Sequence, residues 1–142
     1  MKILIINGPN INMLGIREPE LYGNKNYDDL LEFVRCAAAE MQVEASFFQS
    51  NSEGAIVDAI QGAYCKFDGI VINPAAYAHT SIAIPDALKA VSIPAVEVHL
   101  TDISSREEFR RFSFTSAACI KMISGKGFEG YRSAIESLIL NA

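Results

Sequence analysis

The sequence has no apolar run of about 18 residues, so no transmembrane helix is expected. Its first residues, Met1 to Asn7, are too short for a signal-peptide core and have no small-residue cleavage site. Cysteine is sparse. Cys36, Cys65 and Cys119 are isolated and odd in number, which fits free buried thiols in a reducing compartment, and the cytoplasm is the expected setting. Two histidines with scattered cysteines make a poor metal-ligand set, so no metal is expected. Positive charge is in deficit. Twelve Lys and Arg against 17 Asp and Glu give a net charge of −5, which argues against a general nucleic-acid binder. Internal repeats, low-complexity tracts and linkers are also lacking. What remains is globular composition, 50% hydrophobic and 20% charged, in 142 residues. That length fits one domain, residues 1–142, able to bury about 68–70% of its unfolded surface.

Short β-rich runs alternate with longer amphipathic stretches. Lys2–Asn7, Val43–Phe48, Gly69–Asn73, Ala95–His99 and Cys119–Ile123 are the expected strands. Helices are expected after an Asn26 cap, after Asn51 or Ser52, over Ser81–Val91 and over Phe128–Leu140. Pro85 is tolerated only near the first turn of its helix. A short charged helix is expected near Ser104–Arg111. The long connection from Gly8 to Asn26 has the length of a lid or binding loop. Strand–helix alternation repeated five times gives an α/β class, a doubly wound parallel sheet with helices on both faces. The flavodoxin-like strand order 2-1-3-4-5 suits this size.

In such a sheet ligands bind beyond the carboxyl ends of the strands. Asn7, Asn10 and Asn12 follow the first strand, then Arg17, Glu18 and Tyr22. Gln49, Ser50 and Asn51 follow the second. Asn73 ends the third, with His79 six residues on, and the fourth contains Glu97 and ends at His99, followed by Thr101. The charged segment beyond adds Arg106, Arg110 and Arg111. Each residue taken alone has a plain structural reading: a turn-forming Asn, a satisfied His, a solvated Arg. Their joint placement at one edge is what points to a site. Glu97 and His99 are two apart on one strand and share a face. There the carboxylate either orients the imidazole and favours its protonated form or forms a purely structural ion pair. Arg106 and Arg110 share a helix face, and Arg111 can pair with Glu107 at the same spacing. Asp86 is either simple surface charge or, across a subunit interface, a partner that orients an arginine.

The stretch from Gly125 to Gly130 matches the dinucleotide pattern G-x-G-x-x-G. It lies in the last unit, where too few residues remain for the ribose-binding acid expected about 20 residues on, so it reads as a turn into a helix. A receiver domain has the same fold, but Asn-Gly-Pro-Asn stands here where acids would end its first strand. No Ser or Cys sits in an activating motif, and no Lys ends a strand at this edge, which leaves proton transfer as the chemistry. Tyr22 is an unusual base, since a free phenol titrates near about 10. A nearby arginine such as Arg17 would stabilise the phenolate.

The run Gly8-Pro9-Asn10-Ile11-Asn12-Met13-Leu14-Gly15-Ile16-Arg17-Glu18-Pro19-Glu20-Leu21-Tyr22-Gly23 closely resembles the N-terminal signature of the type II 3-dehydroquinate dehydratase family. The resemblance continues through Gln49-Ser50-Asn51-Ser52-Glu53-Gly54, Asn73-Pro74-Ala75-Ala76-Tyr77-Ala78-His79-Thr80-Ser81, Glu97-Val98-His99-Leu100-Thr101 and Arg106-Glu107-Glu108-Phe109-Arg110-Arg111. It implies a shikimate-pathway hydro-lyase that converts 3-dehydroquinate to 3-dehydroshikimate without metal, cofactor or covalent intermediate. It also implies roles: Tyr22 takes the C2 proton, Arg17 readies Tyr22, and Asn10 with a water stabilises the enolate. His99, positioned by Glu97, protonates the departing C1 hydroxyl. Leu100 and Thr101 hold the carboxylate, while Asn73, His79 and Arg110 bind ring hydroxyls. Asp86 reaches a neighbouring subunit's site in a homododecamer, a tetramer of trimers. Three departures stand out: Ser52 for a frequent His, Asp102 for a frequent Asn, and Pro85 where Arg is common. The non-enzyme alternative is a flavodoxin-like binding module for a small carboxylate.

Overall fold

Along β1 (Lys2–Asn7) and β3 (Gly69–Asn73) almost every residue is buried, because successive side chains enter opposite hydrophobic layers. Ile3 and Ile5 join Val71 in one layer, and Leu4 and Ile6 join Ile70 and Ile72 in the other. The computed structural model describes residues 1–16, 20 and 24–142. Its sheet adds β2 (Glu44–Gln49), β4 (Ala95–His99) and β5 (Lys121–Ser124) in the order β2-β1-β3-β4-β5. Every pairing is parallel, as the sequence predicts.

Four helices of the described chain cover the two faces. Helices α1 (Tyr27–Glu40) and α4 (Glu129–Asn141) pack Leu30, Val34, Tyr131 and Ile135 on one side. Helices α2 (Glu53–Gly62) and α3 (Ala83–Val91) pack Ile56, Ile60, Ile84 and Leu88 on the other. Asn26 and Asp29 form a reciprocal capping box at the start of α1, and Ser52 caps α2 by accepting from the Ala55 amide. Pro85 falls in the first turn of α3, where it removes no helical hydrogen bond. No described helix is long and apolar enough to cross a membrane.

Three expectations need correction. The segment Ser104–Arg111 is not an α-helix. Two 3₁₀ turns, Ile103–Ser105 and Glu108–Arg110, are separated by extended backbone at Arg106 and Glu107. Asp102 accepts from both the amide and the hydroxyl of Ser104, while the Ser105 hydroxyl donates to the Asp102 carbonyl. These local bonds compete with the helical ladder. In consequence Glu107 pairs with Arg110 and Arg106, and Arg111 donates instead to the Arg106 carbonyl. The fifth strand begins at Lys121, because Cys119 closes the preceding 3₁₀ turn through its amide bond to the Ser116 carbonyl. The three thiols are free, but Cys36 and Cys65 are exposed and Cys119 is half-buried.

Candidate active site

The carboxyl ends of β1, β3 and β4 converge on a cleft of about 500 Å³, its open mouth included. Its wall contains Asn10, Asn73, His79, His99, Leu100, Thr101, Arg106 and Arg110. The structure thus brings together most residues singled out in the sequence. Glu97 stands behind His99, and Asp86 lies off the cleft on the exposed side of α3. Arg17 and Tyr22 lie outside the described residues.

The floor of the cleft depends on a close crossing. The Gly8 amide donates to the Asn73 carbonyl at 2.8 Å. A Cβ on Gly8 would stand 2.6 Å from the Pro74 carbonyl oxygen. Asn10 follows in the left-handed region (φ 69°), which Asn tolerates better than most residues. Its amide donates to Asn51 Oδ1, and Gln49 Nε2 spans the Gly8 carbonyl, Asn12 and Asn51. The asparagines and glutamine beyond β1 and β2 therefore form the web that presents Asn10.

Asn7 and Asn73 are registered side by side on β1 and β3. Tyr131 of α4, fully buried, ties them together beneath the cleft. Its hydroxyl donates to Asn7 Oδ1 at 2.6 Å and accepts from Asn73 Nδ2 at 3.0 Å. Burial pushes the Tyr131 phenol above its ordinary value, against the smaller opposing effect of the Asn73 bond, so it remains a donor. Asn73 Oδ1 accepts from the Ala75 amide. These bonds use two of the side chain's four hydrogen-bonding capacities.

On β4, His99 Nε2 lies 2.5 Å from Glu97 Oε1. The carboxylate is fully buried and the imidazole is 6% exposed. With Nε2 occupied, Nδ1 is the nitrogen left to act on a ligand. His79 faces His99 in a stacked arrangement, ring centroids 6.3 Å apart. Its Nδ1 is 2.7 Å from the Phe112 carbonyl, an acceptor only, so Nδ1 bears the proton and Nε2 is left for a ligand.

Arg110 Nε is 3.2 Å from Glu107 Oε2, a charge contact whose angle falls outside hydrogen-bond geometry. The Glu107 carboxyl is held below its ordinary range, first by its own backbone amide and then by the Arg106 and Arg110 guanidiniums. Arg106 also donates to the Thr101 hydroxyl. The glycine-rich turn closes this side of the cleft. Gly125 and Gly127, both in left-handed conformations, donate their amides to the His99 and Leu100 carbonyls. This turn into α4 fixes the Leu100–Thr101 backbone. Among the described residues, no group of three or more His, Cys, Asp or Glu is placed to hold a metal ion.

Sequence reasoning missed Tyr131 and Ser113. Tyr131 lies inside the last helix, 58 positions from its partner Asn73, and no local pattern links the two. Ser113, whose hydroxyl contacts Glu97, lies 16 residues away in a segment of no regular pattern.

Residues 1–139 match the family described as Dehydroquinase class II. The chain is 55% identical over 138 residues to a 3-dehydroquinate dehydratase of Clostridium acetobutylicum, covering 97% of this chain and 96% of the relative. A 3-dehydroquinate dehydratase of Fusobacterium nucleatum is 53% identical, with 98% and 97% covered. The crystal structure of a type II dehydroquinase from Butyrivibrio crossotus superposes with a TM-score of 0.96 at 51% identity, covering 98% of this chain and 97% of that one. With the whole sheet and nearly the whole length in common, the chain belongs to the class II dehydroquinase family.

Proposed function

We propose that the cleft dehydrates 3-dehydroquinate to 3-dehydroshikimate through an enolate, with side chains alone as acid and base. The observation that carries this reading is the buried Glu97–His99 pair opening into a cleft that also contains Asn73, His79 and Arg110. A pocket that merely binds a small carboxylate has no need of such a pair. Hydroxide is a poor leaving group, so expulsion of the C1 hydroxyl requires a proton in the transition state. His99 supplies it through Nδ1, while its Nε2–H stays on Glu97.

Tyr22 takes the C2 proton as phenolate, with Arg17 stabilising that anion. The electron pair moves to the C3 carbonyl, and the enolate oxygen is met by Asn10 through a water. Collapse of the enolate forms the C1–C2 double bond as protonated hydroxyl leaves as water. One proton has then passed to Tyr22 and one has left His99, and exchange with solvent resets both. The Leu100 and Thr101 amides with the Thr101 hydroxyl hold the substrate carboxylate. Asn73, His79 and Arg110 hold the ring hydroxyls.

The chain acts as a single catalytic domain in the cytoplasm and assembles as a homododecamer, a tetramer of trimers, with Asp86 reaching a neighbouring copy's site. The exposed Phe109, Phe112, Ile82 and Ile120 are apolar surface of the kind subunit contacts cover.

The test is His99→Ala with 3-dehydroquinate in deuterated water. Elimination slows by about 10²–10⁴-fold while deuterium still enters at C2. Equal loss of exchange and elimination counts against the division of labour. A folded wild-type chain that binds 3-dehydroquinate and forms no product makes it a binding module.

A further inference from the structure

One short strap orients both histidines of the chain. The Phe112 carbonyl accepts a hydrogen bond from His79 Nδ1–H, and the Phe114 amide donates to the Ala78 carbonyl at 2.8 Å. Between them Ser113, 6% exposed, places its hydroxyl 2.6 Å from Glu97 Oε1, the oxygen that also meets His99. The direction of that hydroxyl is fixed. Ser113 Oγ accepts from the Ser116 amide at 3.2 Å, so its one proton goes to Glu97. Glu97 Oε2 is buried and has no hydrogen-bond partner among the described residues. The carboxylate is therefore held through one oxygen, by His99 and Ser113 together.

We propose that Ser113 is a positioning residue for the dehydration: its hydroxyl holds the Glu97 carboxylate so that His99 keeps Nε2–H on Glu97 and Nδ1 toward the substrate. The inference rests on the proposed roles of Glu97 and His99. Without the second donor, the carboxylate can turn about its side-chain torsions and present either oxygen to the imidazole. Among the described residues, His99 and Ser113 are the side chains hydrogen-bonded to this carboxylate. Cys119, which feels the Glu97 charge, has its thiol pushed up to about 12 by burial and secondarily by Glu97, so it stays a neutral, weak donor. His79 is committed to Phe112, and Arg106 and Arg110 face the cleft and pair with Glu107. Ser113 is not part of the cleft wall, so the loss of its hydroxyl leaves substrate contacts in place.

The experiment is Ser113→Ala in the full chain, assayed with 3-dehydroquinate in deuterated water. The kcat for elimination falls about tenfold, the scale of one hydrogen bond to a charged group, while KM and C2 deuterium exchange stay near wild type. Ser113→Thr, which keeps the hydroxyl, restores kcat. Should the alanine chain not fold, Ser113→Cys gives the same pattern with a weaker donor. Unchanged kcat, a rise in KM alone, or parallel loss of exchange and elimination overturns the assignment. Nitrogen-15 spectra of the His99 ring without substrate separate this claim from the proposed activity. At a pH high enough to strip the imidazolium of its Nδ1 proton, the wild type shows one tautomer, protonated at Nε2, and Ser113→Ala shows a mixture. Identical spectra overturn the role of Ser113 whatever the turnover.

Discussion

Tyr131→Phe removes one oxygen atom from the middle of the molecule and leaves two buried groups without their partner. Asn7 Oδ1 loses its donor at 2.6 Å and Asn73 Nδ2 loses its acceptor at 3.0 Å. Asn7 is fully buried and Asn73 is 2% exposed, so water cannot substitute without opening the strand ends. An orphaned buried polar group costs about 1–3 kcal/mol, and two of them set the loss at ~3 kcal/mol once relaxation is allowed. For a chain of this length that corresponds to a fall in Tm of about 10 °C, at about 3 °C per kcal/mol. The same substitution frees Asn73 to turn away from the cleft, so KM for 3-dehydroquinate rises as stability falls. Thermal and urea unfolding should be followed at one fixed protein concentration, because the proposed assembly would contribute to apparent stability. A loss below about 0.5 kcal/mol, within the range of ordinary surface substitutions, would refute the reasoning. It would mean that the asparagines find other partners and that Tyr131 is only packing.

Gly8→Ala forces a Cβ against the Pro74 carbonyl at 2.6 Å, backbone that cannot rotate aside. It should cost about 1–3 kcal/mol by urea unfolding, and an unchanged midpoint would contradict the close approach of Gly8 to Pro74. Tyr22→Phe should lower kcat by about 10²–10⁴-fold with the circular dichroism spectrum unchanged, and near-normal turnover would remove Tyr22 as the base. Arg17→Ala should behave alike but recover in part as pH rises and the phenolate becomes more abundant; a flat profile would assign Arg17 to positioning instead. Light scattering at assay concentration should give the mass of twelve chains, and Asp86→Ala should lower activity across the interface. A fully active monomer would contradict both.

The fold was legible because strand burial and helix amphipathicity are written locally. Ile3 to Ile6 and Ile70 to Ile72 fill two layers at once, and a continuous apolar run is what such a strand needs. The cleft residues at strand ends, Asn73 and His99 above all, were legible through the rule for ligand sites in open sheets. What failed was the segment after His99. Arg106, Glu107, Arg110 and Arg111 have helical spacing, but Asp102, Ser104 and Ser105 bind one another's backbone and break the helix before it starts. Spacing is blind to that competition. Ser113 and Tyr131 were illegible for a different reason. Their partners are 16 and 58 residues away, and only the folded chain sets those distances. The buried state of the thiols was misjudged too, since Cys36 and Cys65 lie on exposed helix and turn surface.

The most direct test of the account follows the ultraviolet absorbance of the conjugated enone after 3-dehydroquinate is added to the full chain stripped of metal by a chelator. The absorbance is expected to rise with enzyme concentration, at a rate that neither the chelator nor added divalent metal changes. A folded chain that gives no rise, or gives one only when metal is returned, contradicts it.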